Sequence, residues 1–200
     1  MFLAGSERLV AAITLALLSP VLIATGLIIM ALSRRGPLVA HVRVGANGKV
    51  LPMLKFRTMW RRQDRGGNLF TIEQLSSTAA VHALKGGHDE RVSSRFAAFC
   101  RRYSIDELPQ LIHVWRGEMS LVGPRPITRR ELEMHYAGCI DEVLSVRPGM
   151  TGLWQTRGRN RLTYARRRRL DLIYVRRRSP GLYLKILVRS LPCLIRGNGA

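Results

Sequence analysis

The sequence predicts an α+β fold that is mainly helical, and three stretches of the 200-residue chain support this prediction. An uncharged apolar segment from Leu9 to Leu32 is typical of a membrane helix. Alternating residues around Asn47-Gly48 predict a small β-hairpin, because this dipeptide favours a type I′ turn. Residues 161–178 and 181–195 have the spacing of amphipathic helices. We therefore expect a membrane segment followed by one compact domain.

The apolar segment carries a Ser19-Pro20 pair near its middle. The segment is about 24 residues long, or about 36 Å as a straight helix, which is enough to cross a bilayer. Proline removes one backbone N–H and kinks or breaks a helix, and the Ser19 hydroxyl can donate to a carbonyl that loses its partner. A kinked spanning helix and a re-entrant helix–break–helix hairpin both satisfy this pattern. Arg34 and Arg35 follow the segment and place the rest of the chain in the cytoplasm by the positive-inside rule.

The middle of the chain is predicted to contain short elements. Helical spacing and the positions of the prolines define them. The predicted helices cover 91–102, 104–116 and 131–146, residues 123–126 are extended or turned, and a mobile polar excursion over 60–88 holds one short helix near 73–83.

Positive charge dominates the composition. Lys and Arg number 33 against 13 Asp and Glu, which gives a formal net charge of +20. Such a chain favours an anionic partner, whether nucleic acid, a phosphate-rich substrate or an acidic membrane surface. The three cysteines include no CxxC pair, and the five histidines show no HxxxH or HExxH spacing. The sequence therefore indicates neither a disulfide framework nor a zinc site.

The string Ser104 to Gln110 is the strongest candidate for chemistry, and two interpretations of it stand side by side. Ser104 with Glu107 three residues later matches a helix capping box. Alternatively, Asp106 lies in a first helical turn, where free N–H groups favour an ionised carboxylate. Two adjacent acids at such a position suit a nucleophile beside a metal ligand.

Cationic residues lie both before and after this string in the sequence. Lys55 and Arg57 are two residues apart on a predicted strand and share a face, which suits either phosphate binding or a charged edge strand. Arg125 lies between two prolines and is pre-organised to bind phosphate, unless it is a surface residue on a turn. The runs 166–169 and 176–178 are arginine-rich, which favours a solvated face or a helix lying on anionic lipid.

Together, these strings resemble the bacterial sugar transferase family, and more narrowly its monotopic polyprenyl-phosphate phosphoglycosyltransferases. The resemblance covers nearly the whole chain in order, and SIDELPQL followed by GEMSLVGPRP is its most specific part. The matching strings are SP at 19–20, RVGANGK at 43–49, KFRTM at 55–59, DER at 89–91, RRYSIDELPQLIHVWRGEMSLVGPRP at 101–126, VRPGMTGLWQTRGRN at 146–160 and LDLIYV at 170–175.

The resemblance implies a reaction in which a UDP-sugar donates its sugar-1-phosphate to a polyprenyl phosphate such as undecaprenyl phosphate, with release of UMP. This step would begin the synthesis of an exopolysaccharide, O-antigen or other glycoconjugate. By the same resemblance Asp106 is the nucleophile that forms a covalent phosphosugar intermediate, and Glu107 holds a Mg²⁺ that bridges the diphosphate. The resemblance further implies phosphate or nucleotide contacts from Arg101, Arg125, Lys55, Arg57, Arg147, Arg159 and Asn160.

The resemblance also favours the re-entrant helix broken at Ser19-Pro20, with both ends at the cytoplasmic face of the bacterial inner membrane. It divides the chain into a membrane-inserted segment, 1–35, and a catalytic domain, 36–200, whose C-terminal helices lie on anionic lipids. The chain is similar to the minimal catalytic form of the family. Two residues depart from the family pattern, since His113 stands where Asn is common and Ala97 where Gly is common.

Charge alone supports an alternative, a membrane-tethered basic protein that binds nucleic acid or lipid without catalysis. The sequence contains no helix-turn-helix, zinc finger or RNA-reading aromatic pattern, so we expect no nucleic-acid partner. A homo-oligomer is compatible with the sequence, which indicates neither the sugar nor the glycan pathway.

Overall fold

The computed structural model describes residues 2–60, 69, 72–75, 92, 94–158 and 162–195. It confirms a mixed fold that is mainly helical and begins with a long apolar helix. The helices are α1 (Phe2–Ser33), α2 (Arg95–Arg102), a 3-10 helix (Ile105–Gln110), α3 (Leu111–Arg116), α4 (Arg129–His135), α5 (Ile140–Leu144), α6 (Tyr164–Arg177) and α7 (Pro180–Ile195). The strands are β1 (Leu38–Val44), β2 (Val50–Phe56), β3 (Glu73–Leu75), β4 (Ser120–Val122) and β5 (Gly149–Thr151).

The predicted hairpin is confirmed. Strands β1 and β2 pair antiparallel, and Asn47 (φ 53°) and Gly48 (φ 75°) both have the positive φ that a type I′ turn requires. The Lys49 N–H closes this turn by donating to the Ala46 carbonyl at 3.2 Å. Strand β2 lies at one edge of the sheet β2-β1-β3, where its Pro52 does not interrupt a central ladder.

A short parallel strand lies where the sequence predicted the start of a helix. Residues 73–75 form β3, which pairs with β1 so that Glu73 lies opposite Val39. The prediction of a helix near 73–83 is therefore wrong over its first three residues, because pairing with β1 overrides the local helical preference. The rest of that predicted helix lies outside the described residues.

Two further predicted helices have different limits. Helix α2 begins at Arg95, because the Ser94 side chain caps it by accepting from the Ala97 N–H at 3.0 Å. The predicted helix 131–146 is instead two helices, α4 and α5. The chain turns between them at Gly138, whose φ of 80° is left-handed. The two C-terminal helices lie close to their predicted ranges.

Helix α1 extends from Phe2 to Ser33 and includes Pro20. Proline cannot donate to the carbonyl four residues earlier, which belongs to Ala16. The Ser19 hydroxyl donates to that same carbonyl at 2.8 Å and restores its hydrogen bond. The expected role of the serine is thus confirmed, and it helps the helix to continue. From Gly5 to Ser33 this helix is long and apolar enough to cross a membrane, by length and composition alone.

The buried residues of α1 lie towards its two ends. Glu7 and Ala11 are buried near the start, and Thr25 and Ile29 are buried near the end. No residue from 16 to 24 is buried. Ala11 packs in one core cluster with residues of β2 and α3, so the N-terminal helix forms part of the hydrophobic core of the protein.

Candidate active site

The two candidate acids lie on the 3-10 helix that follows α2. Ser104 precedes this helix with a left-handed backbone (φ 56°), and its side chain makes no capping hydrogen bond. The predicted capping box is therefore wrong, because Ser104 forms the turn between two helices instead of capping the second. Asp106 is 8% exposed, while the Glu107 side chain is 34% exposed. The adjacent acids thus face different environments.

Burial raises the pKa of Asp106 from 3.8 to about 6. The Lys55 ammonium opposes this rise, the charge of Glu107 adds to it, and Arg101 opposes it again. Three of the predicted site residues, Lys55, Glu107 and Arg101, therefore act electrostatically on Asp106. The carboxylate is poorly solvated, and its ionised form depends on neighbouring cations.

Lys55 connects strand β2 to the acid pair. Its Nζ lies 2.6 Å from Glu107 Oε1, and its side chain is 17% exposed. The ammonium therefore makes a short ion pair with Glu107 that is partly shielded from solvent. This contact holds the strand that carries Lys55 against the 3-10 helix that carries the acids.

The acid pair fits a magnesium ion in the manner typical of phosphate-handling sites. Mg²⁺ usually takes one or two carboxylates from the protein and its remaining ligands from phosphates and water. Glu107 offers a partly exposed carboxylate next to Asp106. Across the described part of the chain no group of three or more His, Cys, Asp or Glu residues could hold a metal ion, so a site here would need ligands from the substrate.

His41 on β1 is a histidine whose pKa is influenced by two of the predicted cations. Burial lowers the pKa of His41 to about 4, with further lowering by Lys55, Arg43 and Arg125. The charges of Lys55 and Arg125 therefore both act on His41. The sequence alone gave no role to His41 or Arg43. They are two residues apart on β1, and side chains at that spacing lie on the same face of a strand.

Arg125 is exposed in the turn after β4, between two buried prolines. Its guanidinium lies 5.9 Å from the centroid of the Trp154 ring, and Arg167 lies 4.8 Å from the same ring. The extended or turned conformation predicted for 123–126 is confirmed. The indole thus supports Arg125 while leaving it open to an anion.

Asp171 is a carboxylate buried in the core near two of the arginines. Burial raises the pKa of Asp171 to about 7, opposed by a hydrogen bond from Tyr136 and by the charges of Arg125 and Arg167. The Tyr136 hydroxyl donates to Asp171 Oδ2 at 2.8 Å. In its ionised form Asp171 therefore interacts favourably with the charges of both arginines from inside the core.

Two predicted phosphate ligands make other contacts. Arg57 is 6% exposed, its Nε donates to the Gly36 carbonyl at 2.8 Å, and its Nη1 lies 2.5 Å from Glu73 Oε2. Arg147 donates through Nη2 to Glu7 Oε2 at 2.8 Å. The described contacts of both arginines therefore join elements of the fold, and none of them reaches Asp106. Arg159 and Asn160 lie outside the described residues.

Glu7 is the residue that sequence reasoning missed most clearly. Only 4% exposed, it accepts hydrogen bonds from the Leu121 N–H at 3.1 Å, the Tyr183 hydroxyl at 2.7 Å and the Ser120 hydroxyl, besides Arg147. This carboxylate ties the start of α1 to β4, α7 and the segment before β5. Its partners are distant in the sequence, so no local pattern could indicate them.

Comparison with known proteins places these features in one family. The sequence profile of the bacterial sugar transferase family matches residues 4–197. The chain is 38% identical to a UDP-galactose-lipid carrier transferase of Erwinia amylovora over its whole length, and spans 42% of that protein. It is 39% identical to the exopolysaccharide production protein ExoY of Rhizobium meliloti, over 96% of this chain and 85% of that one.

A third relative has a more explicit name. The UDP-glucose:undecaprenyl-phosphate glucose-1-phosphate transferase of Caulobacter vibrioides is 36% identical, over 95% of this chain and 68% of its own. The chain therefore belongs to the bacterial sugar transferase family.

Proposed function

We propose that the protein transfers a sugar-1-phosphate from a UDP-sugar to a polyprenyl phosphate, with release of UMP, as an early membrane step of exopolysaccharide or glycoconjugate synthesis. The names of the relatives support this reaction, since one is a UDP-glucose:undecaprenyl-phosphate glucose-1-phosphate transferase. The single observation that carries the proposal is the buried Asp106 beside the ion pair of Glu107 with Lys55. An anionic nucleophile with nearby cations suits attack on a diphosphate.

The reaction proceeds in two displacements at one phosphorus atom. A carboxylate oxygen of Asp106 bonds to the phosphorus that carries the sugar, and the bond from this phosphorus to the UMP oxygen breaks, so that UMP leaves with the electron pair. An oxygen of the polyprenyl phosphate then bonds to the same phosphorus, and the bond to Asp106 breaks. The covalent intermediate lets the first anion leave before the second one binds.

The side chains around Asp106 supply the electrostatics of both steps. Lys55 and Arg101 favour the ionised nucleophile and attract the diphosphate. Arg125 offers an exposed guanidinium held against Trp154, which suits a phosphate oxygen. A Mg²⁺ held by Glu107 would neutralise phosphate charge when it is bound.

The contacts at both ends of α1 support a re-entrant topology. Glu7 is bound by β4 and α7, and Ile29 is fully buried near the other end. A bilayer cannot separate two helix ends that contact the same folded domain. The unburied stretch 16–24 is then the part that enters the lipid, and the whole chain outside it lies at the cytoplasmic face of the inner membrane.

The C-terminal helix supports contact with anionic lipid. Leu184, Val188 and Leu191 form an exposed apolar row on α7, and the exposed Lys185 and Arg189 flank it. Two of the four arginines in the run 166–169 on α6 make contacts within the fold. Of its two inner members, one packs on Trp154 and the other donates to the His135 carbonyl at 2.9 Å.

A release assay tests the proposed reaction. Purified protein in detergent receives a panel of UDP-sugars, undecaprenyl phosphate and Mg²⁺, and UMP is measured. We expect UMP from at least one donor, none from Asp106→Asn, and full activity from the surface control Asp141→Asn. No UMP from any donor, together with tight binding of duplex DNA, would favour the basic nucleic-acid-binding alternative.

A labelling experiment tests the topology. Cysteine is introduced at Gly5, near the start of α1, or at Lys49 in the exposed hairpin turn, and intact cells are treated with a membrane-impermeant thiol reagent. Labelled peptides are then identified by mass spectrometry. We expect protection of both positions in intact cells and labelling of both after lysis. Labelling at position 5 alone in intact cells would instead support a helix that spans the membrane.

A further inference from the structure

His113 is a buried histidine with two defined hydrogen-bond partners. It lies on α3 and is 2% exposed. Its Nε2 accepts the Leu54 backbone N–H at 3.1 Å, and its Nδ1 lies 2.5 Å from Glu118 Oε2. A backbone N–H can only donate, so Nε2 carries no proton and Nδ1 is the protonated nitrogen that donates to Glu118. Both ring nitrogens therefore have fixed roles.

The hydrogen bond from Leu54 to His113 satisfies one backbone N–H at the edge of the sheet. Strand β2 lies at the end of the order β2-β1-β3, so within the part of the chain that the structure describes, alternate N–H groups on its outer side have no strand partner. His113 supplies an acceptor for one of these groups from another element. A leucine of similar volume could fill the same space but could not accept this hydrogen bond.

This bond joins the two parts of the candidate active site. Leu54 immediately precedes Lys55 on β2, and helix α3 continues directly from the 3-10 helix that carries Asp106 and Glu107. The Lys55–Glu107 ion pair of 2.6 Å connects β2 to that 3-10 helix from the more exposed side. His113 thus fixes, from the core side, the distance across which that ion pair forms.

We propose that His113 is a positioning residue for the transfer reaction, because its ring holds the backbone beside Lys55 against the helix that follows the acid pair. The inference rests on the proposed function of the site. Glu118 contributes to the same positioning, since its carboxylate fixes the tautomer in which Nε2 can accept the hydrogen bond from Leu54. A residue with only a packing role would be replaceable by any apolar side chain of its size.

Substitutions separate positioning from packing. His113→Leu removes both hydrogen bonds, whereas His113→Gln keeps an amide oxygen that can reach the Leu54 N–H. We expect His113→Leu to lower kcat by about 10- to 100-fold, as for a displacement of about 1 Å in an active site, with KM for the UDP-sugar changed by less than about threefold. His113→Gln should recover most of kcat. Val143→Ala, a buried change on α5, is the control for lost stability and should keep kcat per folded molecule.

Two readouts apply even if His113→Leu folds poorly. Glu118→Ala changes a partly exposed side chain, so the protein should fold, and it should lower kcat while releasing the ring from its fixed tautomer. Nitrogen NMR should show a bare Nε2 and a protonated Nδ1 in the wild type, and exchange of the Leu54 amide should accelerate in both His113→Leu and Glu118→Ala.

The outcomes distinguish the two proposals. An active wild type with unchanged kcat in His113→Leu and Glu118→Ala would overturn the positioning role alone. A protonated Nε2 in the wild type would also overturn it. A wild type that releases no UMP from any donor would overturn the proposed function and, with it, this inference.

Discussion

Replacing Asp106 with asparagine should end turnover and at the same time stabilise the fold. Burial raises the pKa of this carboxyl from 3.8 to about 6, so the folded protein binds a proton between these values that the unfolded chain has released. Stability contributed by this group therefore falls as the pH rises through this window. Above pH 6 the fold holds an ionised buried carboxylate, and asparagine removes its cost.

The size of this gain follows from the pKa. At about 1.4 kcal/mol per pKa unit, the metal-free protein should gain about 3 kcal/mol at pH 8 and about 1.5 kcal/mol at pH 5 from Asp106→Asn. For a chain of this size, about 3 kcal/mol corresponds to a rise in Tm of about 6 to 12 °C. The change of side-chain volume is small, so packing should contribute little.

Thermal unfolding in detergent with a chelator, followed by tryptophan fluorescence, measures the effect at both pH values. Asp141→Asn makes the same chemical change at an exposed helix start and should alter stability by less than about 0.5 kcal/mol. A Tm of Asp106→Asn at or below the wild-type value at pH 8, or a gain that does not shrink at pH 5, would refute the electrostatic argument.

Three further predictions concern the surroundings of the site and the anchoring of α1. Lys55→Met should lower UMP release by about 100-fold or more, because the acid pair loses its nearest cation, whereas Lys49→Met in the exposed hairpin turn should have no effect. Because burial and nearby cations keep the pKa of His41 near 4 in the fold, stability should fall by up to about 3 kcal/mol as the pH drops from 6.5 towards 4, and His41→Gln should flatten this fall in a pH series of Tm values. Glu7→Gln should destabilise the fold by about 2 to 3 kcal/mol by leaving Arg147 without its carboxylate, and an unchanged unfolding midpoint would show that the contact is not needed.

The predictable parts of this fold are those whose signals are local. Asn47-Gly48 indicates the hairpin because only a few dipeptides accept positive φ at both positions. The limits of α6 and α7 follow from apolar spacing. Pro20 marks a special point in α1, but whether a helix breaks or continues there depends on the compensating bond from Ser19.

The parts that could not be predicted depend on long-range contacts. Strand β3 exists because it pairs with β1, and Glu7 is buried because residues far along the chain supply its donors. The family resemblance indicated Asp106, Glu107 and Lys55 as neighbours. It gave no indication that Arg57 would instead bind Glu73, since that pairing requires the parallel strand.

Trapping of the covalent intermediate tests whether Asp106 is the nucleophile. The protein is incubated with an accepted UDP-sugar and Mg²⁺ but without the lipid acceptor, quenched, and digested for mass spectrometry. We expect the peptide containing Asp106 to gain the mass of one sugar phosphate less one water, and to lose it when undecaprenyl phosphate is added. Steady release of UMP in the complete assay, with no sugar phosphate on Asp106 at any time, would contradict the account.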